Sequence, residues 1–111
     1  MTRPFDNSGA CFVCRRSATG FGVHRGDRVG WMCLECRDSH AGRIAISMTE
    51  PAFDQYERDA LVHAGNDGGS FLDSLGITDL SQLPPEHYHR FLEIVVNSFG
   101  EAMRHSLKDA A

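Results

Sequence analysis

The four cysteines of this chain stand as two Cys-x-x-Cys pairs, Cys11/Cys14 and Cys33/Cys36, with eighteen residues between the pairs. That spacing constrains the fold more than any other feature. Each pair can form a knuckle whose two thiolates point at one ion, and the gap is long enough for a β-hairpin. The competing uses of cysteine fit less well. A disulfide suits a secreted chain, yet Met1–Ala10 carries Arg3, Asp6 and Asn7 and no apolar run, so no signal peptide is expected. A redox pair would sit at the end of a strand in a βαβ unit, a pattern neither pair shows. An iron–sulfur cluster is chemically open to four thiolates. The spacing favours one structural Zn2+ held by Cys11, Cys14, Cys33 and Cys36, with closed coordination and no position left for a water or substrate.

Between the pairs, Gly20–Arg25 reads as a short strand, Gly26-Asp27 as a turn and Arg28–Met32 as the returning strand that delivers Cys33. After Cys36, the stretch from Arg37 to Ser47 has helical character, weakest at Gly42. Knuckle, hairpin and a helix whose first turn supplies the second pair is the treble-clef order. A zinc ribbon would need a second hairpin after Cys36, where strand alternation is missing. Trp31 is expected to pack over the hairpin and the metal site.

The second part of the chain reads as helical. Thr49-Glu-Pro51 opens a helix with a capping hydroxyl, an acid and a proline in its first turn, and an apolar stripe of Phe53, Tyr56, Ala60, Leu61 and Ala64. Gly65 is expected to stop it, with Asn66–Gly69 as a loop and Ser70–Leu75 as one or two further turns closed by Gly76. Thr78–Leu83 reads as a short turn. Pro84-Pro85-Glu86 then starts the longest helix, to about Leu107, whose stripe Tyr88, Phe91, Leu92, Val95, Phe99, Ala102 and Met103 is expected to be core. The fold class is α+β: a treble-clef-like zinc module over 1–48 and a helical unit over 49–111 packed on it as one compact domain. No run of about 18 apolar residues exists to span a membrane, and cysteines kept for metal suggest a reducing cytoplasm.

The net charge of −4 hides an asymmetry. Residues 1–46 hold seven arginines against four acids, so the rest of the chain carries about −7. Arg15, Arg16, Arg25 and Arg28 are the candidates for a phosphate- or partner-binding patch, because a guanidinium donates bidentately. His24 in the hairpin is the residue an HNH-type nuclease would use, but the polar doublet expected on the strand is absent, since Arg25 follows it. His40, one helical turn after Cys36, is an alternative fourth metal ligand. His87 and His89, spaced i, i+2, point apart and do not chelate together.

The order of these motifs is itself informative. Cys-x-x-Cys, Gly-Phe-Gly, Trp-x-Cys-x-x-Cys, Thr-Glu-Pro-Ala, the run Gly68–Leu80 and Pro-Pro-Glu, from Cys11 to Arg104, resemble a family of small phage and prophage proteins of unknown function. The resemblance implies a phage-type accessory context, a host cytoplasm if the chain is phage-encoded, zinc through the four cysteines and no catalytic activity. The expected function is therefore a non-catalytic, zinc-containing binding protein acting through a protein partner or self-association. Nucleic-acid binding through the arginine-rich module is the alternative, and a His24 nuclease the weaker one.

Overall fold

The computed structural model describes residues 3–110. The knuckle at Cys11–Cys14 is followed by an antiparallel hairpin, β1 (Phe21–Arg25) and β2 (Arg28–Met32), in the register Phe21 opposite Met32 and Arg25 opposite Arg28. Four helices follow: α1 (Leu34–Asp38), α2 (Ala41–Ile46), α3 (Glu50–Leu75) and α4 (Pro85–Asp109), with a 3₁₀ turn at Leu80–Gln82 between the last two. The fold is α+β, with the expected order of knuckle, hairpin and helix. Trp31 lies half-buried on the hairpin, its ring beside Gly22 of the facing strand. None of the described helices is long and apolar enough to cross a membrane.

Phe12, at the centre of the knuckle, is fully buried and joins the two parts of the chain. Its ring stacks on Phe53 of α3 at 6.4 Å between centroids and leans on Phe5 at 5.7 Å. Around it, Val13, Met32, Ala41 and Ala45 of the first part share one core with Ala60, Phe99, Met103 and Leu107 of the helices. Arg3 adds a polar tie: its Nη2 donates to the carbonyls of Met48 and Thr49 at 2.8 and 3.0 Å, and its guanidinium lies 4.4 Å from the Phe53 ring centroid.

Local signals set several helix ends. The Thr49 hydroxyl accepts from the Ala52 amide at 3.3 Å and Gly76 ends α3, as expected from their residue types. α4 starts behind Pro84 with no side-chain cap.

Three expectations fail, each for a tertiary reason. Gly65 does not stop the helix and Asn66–Gly69 is no loop: α3 runs unbroken for 26 residues. Gly68 faces α4, where a Cβ would stand 2.8 Å from Val95 Cγ2 and 3.0 Å from Phe91 Cε1, so its lack of a side chain is what lets the helices close. Beside it Asp67 accepts from the Ser98 hydroxyl at 2.6 Å. The packing outweighs a helix penalty of about 1 kcal/mol per glycine. The helix after Cys36 breaks at Ser39–His40, with His40 at φ 62°, and not at Gly42. Gly42 lies inside α2, where an added Cβ would meet Met32 Sδ at 2.5 Å. Finally, Leu61, Tyr88 and Leu92 are exposed although their stripes predict core, because the cysteine module covers only one end of the α3/α4 hairpin.

Gly68→Leu is expected to force α3 and α4 apart and to cost about 2–3 kcal/mol, whereas Gly69→Leu, at a position with open space, is expected to be neutral or to stabilise by up to about 1 kcal/mol. Urea denaturation of both variants checks this; equal costs would contradict the packing role.

Candidate metal centre

The local backbone brings both cysteine pairs to one point. The first pair is folded by a tight turn in which the Arg15 amide donates to the Cys11 carbonyl at 2.9 Å and the Cys11 amide to the Arg16 carbonyl at 2.6 Å. Arg15 closes the turn at φ 69°, a conformation that costs a non-glycine residue on the order of 1 kcal/mol. The second pair uses a helix start: β2 ends at Met32, Cys33 is the N-cap of α1, and Cys36 sits one turn inside it. Cys11, Cys14 and Cys36 are buried and Cys33 is half-buried beside a cleft of about 250 Å³ lined by Arg16, Thr19, Glu35 and Arg104.

The four Sγ atoms all lie within 4.8 Å of one another, and Cys14 Sγ is 3.7 Å from Cys33 Sγ. Thiolates about 2.3 Å from a tetrahedral zinc ion stand about 3.8 Å apart, so the donor set fits that ion in number, chemistry and spacing. The sulfurs also perturb one another. Hydrogen bonds from the Cys14 and Cys36 thiols, helped by amides of Cys14 and Cys33, pull the Cys11 thiol far below its ordinary range. Cys14 is pushed up to about 12, first by its hydrogen bond to Cys11 and further by burial. Cys36 is raised for the same reasons. Four thiols in one small buried volume cannot all ionise unless a cation neutralises them.

A cation the sequence reading did not single out approaches the cluster from α4. Arg104 Nη1 is 3.8 Å from Cys36 Sγ, and its Nη2 pairs with Glu35 Oε2 at 3.0 Å. Burial opposes the Arg104 charge, but the Cys36 sulfur and Glu35 more than offset this and hold its pKa above the ordinary arginine value. One turn earlier, Gly100 leaves room for the knuckle: an added Cβ would stand 3.3 Å from Cys14 Cβ. No spacing rule links an arginine on α4 to Cys36, 68 positions away, so nothing in the sequence marked it.

The arginines of the proposed patch have separate partners. Arg15 Nη2 donates to Glu57 Oε2 of α3 at 2.6 Å, and Arg16 Nη1 donates to Asn97 Oδ1 of α4 at 3.0 Å. Arg25 Nη1 donates to the Met48 carbonyl at 2.9 Å, while the Arg28 guanidinium lies 5.8 Å from the Phe5 ring centroid. Glu57 is fully buried, and that burial raises its carboxyl pKa against the opposing pull of Arg15. His24 is exposed on β1 opposite Val29, and His40 is exposed at the α1–α2 break. Among the described residues, the four cysteines are the one group of three or more metal-ligating side chains that converges. An open hollow of about 910 Å³ is lined by Asp59, His63, Glu101 and His105, which do not converge on a common point.

Fold and site together define a small α+β protein whose first part is organised around four converging thiols and whose second part is a helical hairpin. The chain belongs to DUF6511, a family of unknown function, whose family model matches residues 48–111. That match is narrower than the resemblance from Cys11 to Arg104: it takes in α3 and α4 and leaves the four cysteines outside. No curated protein and no solved structure matches the chain.

Proposed function

We propose that this chain is a non-catalytic, zinc-stabilised binding protein, of the phage-type accessory kind that its sequence resembles. The observation that carries the reading is the convergence of four thiols within 4.8 Å, three of them buried, in a donor set with no open position. In this reading Cys11, Cys14, Cys33 and Cys36 hold one Zn2+, and the ion supplies folding free energy to the module. Arg104 and Glu35 form the polar shell around the thiolates. The function then lies on the outer surface, through a protein partner or a second copy.

Nucleic-acid binding through Arg15, Arg16, Arg25 and Arg28 draws less support, because three of these donate to groups of the same chain. A metal-dependent nuclease at His24 draws less still, with no second metal-ligating group converging there among the described residues.

Native mass spectrometry tests the metal. The expected result is a 12.3 kDa chain carrying one zinc, lost in acid as the thiolates protonate. A folded chain free of metal would remove the reading.

A further inference from the structure

The hairpin of α3 and α4 extends well beyond the cysteine module, giving the molecule a long axis of 48 Å against 25 and 23 Å. Two lines of residues at i, i+4 spacing run along it. On α4 the line begins at Gly100, against Cys14, and continues outward through Val96, Leu92 and Tyr88. On α3 it begins at Glu57, beneath Arg15, and continues through Leu61, Gly65 and Gly69. Both lines start under the module and emerge from it, so they mark the same side of the hairpin. Past the module that side is apolar: Leu61, Val62, Tyr88, Leu92 and Val96 are 42 to 65 % exposed. A Cβ at Gly65 or Gly69 would meet nothing within 4 Å, so a neighbouring helix could approach closely there. Single exposed apolar residues are ordinary, but a strip continuing the core of the same two helices is an unfinished packing face.

Charge indicates what finishes it. From residue 66 to 96, the outer half of the hairpin, there are five acids (Asp67, Asp73, Asp79, Glu86, Glu93) and one arginine. At the other end of the strip stands the arginine-rich module, with Arg16 exposed and bonded to a neutral amide, Asn97. A surface with an apolar centre, an acidic end and a basic end is complementary to itself turned through 180°. Antiparallel pairing of two hairpins would put each acidic tip beside the other's module while the apolar strips meet as in a four-helix bundle.

We infer that the strip formed by Leu61, Gly65, Tyr88, Leu92 and Val96 is the contact surface for a second copy of this chain, in a two-fold dimer with the hairpins antiparallel. This deepens the binding-protein reading, on which it rests, by naming the surface and its occupant.

Light scattering on the zinc-loaded full chain at about 0.1 mM, where a contact of about 1,200 Å² or more is expected to hold, tests it. The expected mass is twice the 12.3 kDa of the chain. Leu92→Glu with Val96→Glu is expected to give a monomer of unchanged helical signal and zinc content. Arg16→Glu should weaken the dimer roughly tenfold, and Asp73→Arg on the same chain should recover most of that loss. A zinc-loaded wild-type monomer overturns the pairing and leaves the metal reading standing. So does a dimer indifferent to the Leu92 and Val96 changes. A zinc-free sample counts against the metal reading instead, so the two failures are distinguishable.

Discussion

Cys33→Ser, or treatment with a strong chelator, is expected to abolish the sharp thermal transition of the whole chain and not merely loosen its first third. The argument is one of magnitudes. Structural zinc sites contribute an apparent 10–16 kcal/mol or so at neutral pH, comparable to or larger than the whole net stability of about 5–15 kcal/mol of a small domain. Without the ion, four thiols within 4.8 Å of one another cannot all ionise, so the module loses the metal–thiolate bonds that tie its two knuckles together. The consequence spreads because the core is shared: Phe12, between the two cysteines of the first knuckle, stacks on Phe53 of α3, and Cys14 rests against Gly100 of α4. A module that opens exposes Phe53, Phe99, Met103 and Leu107 together. A two-helix hairpin left alone is marginal in water, so helical signal should fall and melt without cooperativity. Circular dichroism with Trp31 fluorescence reads both parts. A metal-free chain with native Trp31 emission and a cooperative melt would overturn this account.

The second large effect concerns Arg15 and Glu57, and it should be asymmetric. Arg15→Met leaves Glu57 fully buried without its partner and is expected to cost about 2–4 kcal/mol at pH 7. Glu57→Gln removes the buried charge and leaves Arg15, whose side chain is 31 % exposed, to be hydrated; this should cost under about 1 kcal/mol. The pH dependence follows from the direction of the Glu57 shift. Burial raises its carboxyl pKa above the unfolded value, so between the two values the native state holds a proton that the unfolded chain has released. The contribution of this group to stability therefore falls as pH rises through that window. Removing Arg15 takes away the attraction that limits the shift, which widens the window and steepens the fall. Glu57→Gln should abolish this component. Urea titrations of the three proteins between about pH 5 and 8 measure it, and equal costs for the two substitutions would refute the pairing argument.

Features coded by neighbouring residues were legible before the structure. Two Cys-x-x-Cys pairs, a Gly-Asp turn and the strand pattern around it led to a knuckle, a hairpin and a helix starting at the second pair, and these are found. Thr49 and Gly76 mark helix ends because a cap acts on its own few amides and carbonyls. The run Gly65–Gly69 misled for the converse reason. Its local signal is that of a breaker, and only contact with Val95 and Phe91 makes the absent side chain at Gly68 an advantage.

The paired cysteines by themselves determined that four thiols could meet, since a knuckle places its two sulfurs through a few backbone bonds. The tertiary structure decided what surrounds them and what stays uncovered. Arg104 reaches Cys36 across 68 residues, Glu57 receives Arg15 across 42, and the apolar lines of α3 and α4 are core at one end and surface at the other. Periodicity says which residues share a helix face. It cannot say how far along that face a module of fixed size extends, because that depends on how two distant pieces of chain dock.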